Sequence, residues 1–385
     1  MIPLFTVHMP HAVDKPLLET LHSGYIGQGP RVDEFEKDLG EWIGFKNIVT
    51  TSSGTTALQL ALRLAGIGSA NGGSSTDEVI TTPMTCTATN MPILGAGATP
   101  VFADVDPRTG LIDPVDVIRK IDSDLTKAIM CVHWGGTPCD MSALSEIATN
   151  YGLALIEDAA HAFGSVEPAT GQKIGNRTAH YSMFSFQAIK HITCGDGGAL
   201  SIYDSHKYKL GKLVRWYGID RETDRKDFRC EEDIENWGLK WHMNDINAAI
   251  GIVQLKYADG IVKSHRANAR TFWNLIDRER FVPAFLEVML DYSAFWLYTI
   301  LLQDEDDRIY FMNHMRRNGI QVSQVHARND IHTVFAPFVH GKFPGVDGFA
   351  SRMVCIPVHW NLSETDMDKI VSACRSYKVL DSVGI

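Results

Sequence analysis

The sequence lacks three features that would each point to a particular class of protein. It has no apolar run of the roughly 18 residues that a membrane-spanning helix requires, so we expect no transmembrane segment and no membrane partner. Its 36 lysines and arginines form no block and are outnumbered by 46 acidic residues, which gives a formal net charge of −10 and argues against nucleic acid as a partner. The N-terminus has no basic segment followed by an apolar stretch, so we expect no export signal.

Cysteine and histidine do not occur in metal-binding patterns. The cysteines are odd in number and scattered, and they include no CxxC pair, which argues against a disulfide framework and a cysteine-ligated zinc site. The histidines between residues 133 and 191 show no spacing typical of zinc ligands either, so we predict no metal. Reduced thiols favour a cytoplasmic location. The seven cysteines are Cys86, Cys131, Cys139, Cys194, Cys230, Cys355 and Cys374.

The 385 residues, of which 45% are hydrophobic and 21% charged, are enough for a large core and two domains. Short apolar runs alternate with helix-like segments in the first half of the chain. Most of these runs are continuously apolar, as in strands that are buried on both faces of a largely parallel sheet. The pattern predicts an α/β domain with seven strands, at about 47–51, 78–82, 99–105, 127–133, 153–158, 180–186 and 199–203.

The pattern changes after residue 203. A charged segment at 205–234 precedes a helix predicted at 244–255, a strand at 295–303, a helix at 308–318 and a terminal helix at 363–377. Ser363 is the expected N-cap of that last helix, with Asp366 completing an acidic capping box. We therefore predict a large α/β domain at 1–254 and a smaller C-terminal α+β domain at 255–385.

Lys190 is the most informative residue. It lies on a predicted loop shortly after Ser185, and Asp158 stands at the carboxyl end of an earlier apolar strand. An isolated lysine is usually a solvated surface residue. Together with a hydroxyl and an acid, however, it matches a pyridoxal phosphate site, where the lysine amine forms a Schiff base with the aldehyde and the acid keeps the pyridinium nitrogen protonated.

Residues 52–58 lie between a predicted strand and a predicted helix. Backbone amides at a helix N-terminus with small hydroxyl side chains form a pocket for a phosphate, although serine and threonine are also ordinary N-caps. His161 leaves two alternatives open: it contacts a cofactor oxygen, or it satisfies a hydrogen bond in the core. Asp158 could likewise be a solvated acid at a strand end.

These pieces, in this order, resemble the DegT/StrS-type sugar aminotransferases, a family of fold-type I pyridoxal phosphate enzymes. The resemblance spans nearly the whole chain, and five ordered motifs are far more specific than one. They are GYIGQG at 24–29 with EFE at 34–36, SGTTAL at 53–58, EDAAH at 157–161, SFQAIK at 185–190, and AAIG at 248–251 with QL at 254–255. The resemblance implies that the phosphate of the cofactor is bound by Gly54, Thr55, Thr56 and Ser185. It also implies that Asp158 binds the pyridinium, His161 the ring hydroxyl and Lys190 the aldehyde.

Three positions depart from the family pattern. Where many members stack an aromatic residue on the cofactor, this chain has Cys86, which would pack more thinly. Where many members carry an asparagine that reaches the phosphate in the partner subunit, this chain has Lys240. At the nearby position that resembles the family's arginine, it has His242. The resemblance therefore implies a homodimer with shared active sites in which Cys86 and Lys240 are cofactor contacts.

The implied activity is the transfer of an amino group, with glutamate as donor, to a nucleotide-linked keto-deoxy sugar at C4. A dehydratase of the same fold is the nearest alternative. In that branch of the family a histidine replaces the Schiff-base lysine, and His191 is adjacent to Lys190, so a one-residue shift of the alignment would place a histidine at the cofactor. A non-catalytic ligand sensor is the other alternative. Candidate cations for the substrate diphosphate, each of which could equally be a solvated surface charge, are Lys207, Lys209, Lys212, Arg215, His326 and Arg328.

Overall fold

The computed structural model describes residues 1–221 and 233–378. Its largest element is a seven-stranded sheet made of β1 (Ile48–Thr51), β2 (Glu78–Thr81), β3 (Thr99–Phe102), β4 (Thr126–Val132), β5 (Ala154–Asp158), β6 (Tyr181–Ser185) and β7 (Gly198–Ile202). The strand order is β1-β7-β6-β5-β4-β2-β3. Of these seven strands, β7 alone runs in the opposite direction, antiparallel to β1 and to β6, and the other pairs are parallel. The predicted α/β class and mostly parallel sheet are confirmed.

Each of the seven predicted strands occurs in this sheet, and the ends differ from the predicted ones by a few residues. β3 differs most, because it ends at Phe102 whereas the prediction continued to Val105. Val105 forms an isolated antiparallel bridge with Ile112 instead. The apolar pattern alone does not distinguish a continuing strand from such a bridge.

Helices cover both faces of the sheet. Ile156 packs into the apolar cluster that contains the helix Gly54–Ala65, whereas Leu155 packs into the cluster that contains the helix Met141–Tyr151. Successive side chains of a strand point to opposite faces, so these two helices lie on opposite sides of β5. This explains why the strands are apolar along their whole length.

The helices of the described residues are numbered in chain order. They are α1 (Asp14–His22), α2 (Pro30–Ile43), α3 (Gly54–Ala65), α4 (Thr87–Gly95), α5 (Pro114–Lys120), α6 (Met141–Tyr151), α7 (Ser205–Val214), α8 (Asp245–Leu255), α9 (Ala258–Leu275), α10 (Met289–Tyr292), α11 (Glu305–Arg317), α12 (Pro344–Ala350) and α13 (Glu364–Ser376). Within residues 1–221 and 233–378, none of them is both long and apolar enough to span a membrane. The six described cysteines are free thiols, and Cys230 lies outside the described residues.

A smaller C-terminal sheet, as predicted, is formed by β8 (Val282–Pro283), β9 (Tyr298–Leu301) and β10 (Met353–Ile356) in the order β10-β9-β8. β9 begins three residues after the predicted start, because Phe295 adopts a positive φ of 48° that an extended strand does not accept. The predicted capping box of α13 is present: Ser363 Oγ accepts from Asp366 N at 3.1 Å, and Asp366 Oδ2 accepts from Ser363 N at 3.1 Å. The domain boundary at 254/255 remains a prediction.

Candidate active site

A cavity of about 440 Å³ opens at the carboxyl ends of the central parallel strands. The ends of three adjacent strands contribute Val132, Asp158 and Ser185 to its wall, as expected for a ligand crevice in an α/β sheet. The cavity brings together most of the residues that the sequence singled out, namely Gly54, Thr55, Cys86, Asp158, His161, Ser185 and Lys190. Thr56 and Lys240 do not line it.

Lys190 lies on a turn after β6, where its backbone N–H donates to Gln187 O at 2.9 Å. Its ammonium stands 3.6 Å from the ring centroid of Trp296. Burial lowers the pKa of Lys190 to about 8, although the nearby carboxylate of Asp158 acts in the opposite direction. A lysine with this pKa has a substantial fraction of free amine near neutral pH, as a nucleophile or a general base requires.

Asp158 ends β5 with its carboxylate turned into the cavity. Oδ2 accepts from Thr89 Oγ1 at 2.6 Å, and Oδ1 accepts from the Ala160 backbone N–H at 3.0 Å. Burial raises the pKa of Asp158, and these hydrogen bonds together with the charge of Lys190 partly offset the effect. Since both hydrogen-bond donors are neutral, a cationic group of a ligand would complete the pairing of this buried carboxylate.

The N-terminus of α3 forms the opposite end of the cavity. Ser53 and Thr56 make a capping box, in which Ser53 Oγ accepts from Thr56 N at 3.1 Å and Thr56 Oγ1 accepts from Ser53 N at 3.0 Å. A Cβ on Gly54 would lie 3.1 Å from Ser185 Cβ, so glycine allows α3 to approach β6 closely. Gly54, Thr55 and Ser185 thus lie together in the cavity wall, where the backbone N–H groups of a helix N-terminus favour an anion, while the Thr56 hydroxyl is engaged in the cap.

His161 forms part of an aromatic wall of the cavity. It is buried and stacks on Trp296 with ring centroids 3.9 Å apart and an interplanar angle of 24°. It is also parallel to His326 at 5.5 Å. Burial lowers the pKa of His161, so the imidazole is neutral. Its Nδ1 has no hydrogen-bond partner among the described residues, and an unpaired buried nitrogen beside a cavity is a candidate ligand contact.

Several cavity residues were missed by the sequence analysis. Trp296, Phe5 and Val325 line the cavity, and Phe5 stacks on Trp296 at 4.8 Å. They come from segments far apart in the chain and carry no local signal. Thr89 is three residues after Cys86, and only its hydrogen bond to Asp158 identifies it as a residue of the site. His326, one of the candidate cations for a diphosphate, lies in the cavity wall, where burial lowers its pKa to about 4 and keeps the ring neutral.

The other candidate cations for a diphosphate lie elsewhere or have partners. Arg328 forms a bidentate pair with Asp330, at 2.7 and 2.6 Å, and also pairs with Asp347. Arg215 is buried and paired with Glu36. A cavity of about 450 Å³, separate from the one that contains Lys190, is lined by Lys209, Lys212 and Arg215, and Lys207 Nζ donates to Leu64 O at 2.7 Å.

Lys240 is exposed and lies beside Trp216, to which its backbone is bridged. His242 stacks on the same Trp216 ring at 3.9 Å. Nearby apolar side chains are exposed as well, with 45% of Trp237 and 48% of Leu239 accessible. A cation surrounded by exposed apolar groups is typical of an interaction surface.

Three further side chains come closer together than their sequence spacing suggested. The ligand atoms of Cys131, His133 and Cys139 lie within 4.8 Å of one another and are fully buried. However, His133 Nδ1 accepts from the Cys139 backbone N–H at 3.1 Å, and its Nε2 lies 3.4 Å from Glu157 Oε1. Nδ1 is therefore engaged by the backbone, whereas Nε2 stands beside a buried carboxylate without a hydrogen bond among the described residues.

Comparison with known proteins gives one consistent result. A model of the DegT/DnrJ/EryC1/StrS aminotransferase family matches residues 10–375. The spore coat polysaccharide biosynthesis protein SpsC of Bacillus subtilis is 32% identical over 372 residues, which is 93% of this chain and 92% of that protein.

Two solved structures are similar to the whole fold. The sugar aminotransferase CalS13 from Micromonospora echinospora has a TM-score of 0.89 at 35% identity, with 98% of this chain and 100% of that one covered. AtS13 from Actinomadura melliaura has a TM-score of 0.87 at 38% identity, with 98% and 99% covered.

Proposed function

The chain belongs to the DegT/DnrJ/EryC1/StrS aminotransferase family, and from that membership we propose that it is a pyridoxal-phosphate-dependent aminotransferase acting on a nucleotide-linked keto-sugar. One observation carries the proposal: Lys190, Asp158 and the N-terminus of α3 face the same cavity. These are the amine, the acid and the anion site that the cofactor needs.

The residues of the cavity fit pyridoxal phosphate. Asp158 is a buried carboxylate that has no cationic donor among the described residues, and it would hold the proton on the pyridinium nitrogen. The unpaired Nδ1 of His161 would contact the ring oxygen. Gly54, Thr55 and Ser185 would hold the phosphate, joined by Thr56 if its hydroxyl leaves the cap, and Cys86 would pack against the ring.

When bound, the cofactor supplies an aldehyde that reacts with amines and a ring that accepts electrons. The protein supplies the base. Lys190 Nζ, with its pKa near 8, would take a proton from the donor carbon and pass it to the second carbon of the transfer. The apolar wall of Trp296 and Phe5 keeps water away from this proton. Asp158 keeps the opposite end of the site negatively charged.

The position of His191 supports an aminotransferase over the dehydratase. His191 is buried, and its Nε2 lies 2.9 Å from the backbone oxygen of Ala294. Lys190 lines the cavity, whereas His191 does not. A one-residue shift that would put histidine at the cofactor is therefore disfavoured by the geometry. The convergence of Lys190, Asp158 and Ser185 on one cavity also disfavours a ligand sensor.

For the substrate we propose a nucleotide-linked 4-keto-6-deoxyhexose that is aminated at C4, with glutamate as donor, in a cytoplasmic pathway to a polysaccharide or glycoconjugate. The names of the relatives support a sugar, since CalS13 is a sugar aminotransferase and SpsC takes part in spore coat polysaccharide biosynthesis. The free thiols support a reducing compartment.

The substrate is tested by incubating the enzyme with glutamate and a panel of GDP-, TDP- and UDP-linked 3-keto and 4-keto sugars. Amino-sugar and 2-oxoglutarate, followed by mass spectrometry, should appear in equal amounts with a 4-keto sugar. Amination of 3-keto sugars alone would contradict the ring position. Loss of water without nitrogen incorporation would favour the dehydratase, and no turnover despite bound cofactor would favour the sensor.

We also propose a homodimer in which Lys240 of one subunit approaches the phosphate bound by Gly54, Thr55 and Ser185 of the other. Its exposed position outside the cavity of its own chain supports this arrangement. A lysine beside a phosphate would form a charge-assisted hydrogen bond. The prediction is that Lys240→Ala weakens cofactor binding and activity.

Subunit mixing tests this arrangement. Chains with Lys190→Ala and chains with Lys240→Ala, each defective alone, should regain up to about a quarter of the wild-type activity after exchange, because half of the dimers are mixed and each has one complete site. A mixture of Lys240→Ala with Lys190→Ala/Lys240→Ala chains is the matched control and should show no gain in activity, because it keeps Lys190 but supplies no Lys240. Failure to recover activity after demonstrated exchange would rule out sharing of Lys240.

A further inference from the structure

Trp296 is fixed in place beside the lysine of the site. Its side chain is 3% exposed, and its Nε1 donates to the backbone oxygen of Ile189 at 2.8 Å. His161 stacks on it at 3.9 Å and Phe5 at 4.8 Å. The hydrogen bond to Ile189, the residue directly before Lys190, ties the indole to the turn that carries the lysine.

The backbone residue before Trp296 is held in a strained conformation that fixes the direction of the indole ring. Phe295 is buried and has a φ of 48°, a conformation that costs a bulky residue free energy. The Phe295 N–H donates to Ser293 Oγ at 3.1 Å, and its carbonyl oxygen lies 2.7 Å from His265 Nδ1. The surrounding hydrogen bonds thus hold the strained residue, and with it the direction of the Trp296 ring.

The Lys190 ammonium lies over this ring at 3.6 Å from the centroid, well within the roughly 6 Å of a cation–π contact. The other titratable groups that interact with Lys190 across the cavity are of two kinds. Asp158 and Cys86 favour the ammonium form of Lys190. His161 and His326 are neutral rings, and the positive charge of Lys190 helps to keep them unprotonated. The indole is therefore an uncharged group that stabilises the cation without binding its proton in an ion pair.

We propose that Trp296 is a positioning residue that holds the Lys190 ammonium while the lysine carries a proton between two carbons. This inference rests on the proposed function. As a C–H bond of the donor breaks, Nζ would receive the proton, and the electron pair would pass into the ring system that the bound cofactor supplies and become available at the second carbon. Nζ would then give the same proton to that carbon and become an amine again, so no acid or base besides Lys190 is needed. While it lies over the indole face, Nζ keeps the proton, and the proton is not held in an ion pair with a carboxylate.

The test is made on the full-length chain freed of cofactor, so that it does not depend on activity. Trace acetylation with acetic anhydride across a pH series, quantified on the Lys190 peptide by mass spectrometry, reports the fraction of free amine. Trp296→Leu should lower the pKa of Lys190 and raise its labelling at pH 7 about fivefold, whereas Trp296→Phe, which retains an aromatic face, should change it less. Exposed Lys263 is the internal reference and should label equally in all variants.

Replacement of all tryptophans by fluorotryptophan provides a second measurement that preserves the shape of the core. Fluorine withdraws electrons from the indole face, so the labelling of Lys190 should increase. Lys173, which lies 3.6 Å from the Trp42 ring outside the cavity, is the matched control and should respond in the same direction. An unchanged pKa of Lys190 in Trp296→Leu and in the fluorinated protein would overturn the proposal. A higher pKa would also overturn it, since Trp296 would then serve only to exclude water.

Discussion

Replacement of Lys190 by alanine is expected to lower turnover at least about ten-thousandfold, because it removes the nucleophile and the general base together. The fold should persist. Lys190 is a partly buried turn residue, and its side chain contributes a cation–π contact but no ion pair to the described structure. Circular dichroism and thermal unfolding of the variant check the fold, and single-turnover kinetics with glutamate checks the chemistry.

Two controls separate this role from a general loss of charge. Lys190→Arg keeps the cation but is not a base near neutral pH, so it should be as inactive as Lys190→Ala. Lys173→Ala removes a lysine that also lies on an indole ring, that of Trp42, and should retain activity. Borohydride treatment followed by peptide mapping should attach the cofactor at Lys190. Attachment at Lys173 or Lys207, or an active Lys190→Ala enzyme, would contradict the assignment.

Much of the fold could be predicted from the sequence, because the features that determine it are local. Continuous apolar runs marked the seven strands, since a parallel sheet covered by helices buries both faces. Ser363 and Asp366 marked the start of α13, because a capping box is formed by residues three positions apart. The positive φ of Phe295 had no such signal, because one of the two hydrogen bonds that hold it comes from His265, which is 30 positions away in the chain.

The same distinction applies to the site. Asp158 and Lys190 were recognised because a strand end and a turn put them at one edge of the sheet. Trp296 was not recognised, since the hydrogen bond that fixes it joins residues 107 positions apart. The partner of Arg328 could have been found from the sequence alone, because Asp330 is only two residues away. Its two carboxylate oxygens accept both hydrogen bonds of the bidentate pair.

Asp158→Asn is expected to lower kcat/KM by between about a hundredfold and a few thousandfold. The estimate follows from the roughly 3–5 kcal/mol that is lost when one partner of a buried ion pair is removed. Asparagine is nearly isosteric. Its oxygen can accept from the Ala160 N–H while its amide donates to the Thr89 hydroxyl, so the geometry is kept while the charge opposite the pyridinium is lost. Asp158→Glu retains the charge and should be less impaired. Equal activity of Asp158→Asn and the wild type would show that the cofactor does not need this carboxylate.

Stability should change in the opposite direction to activity. Burial raises the pKa of Asp158 in the folded protein, so its contribution to stability is fully present below the ordinary pKa of the unfolded chain and is lost as the pH rises through the folded pKa. Asp158→Asn has no such titration. In cofactor-free protein, the variant should therefore gain stability relative to the wild type as the pH increases from about 4 toward neutral. Urea unfolding at several pH values measures this difference. A variant that is less stable than the wild type at neutral pH would mean that Asp158 supports the fold, whereas the expected gain identifies it as a charge maintained for the cofactor at the expense of stability.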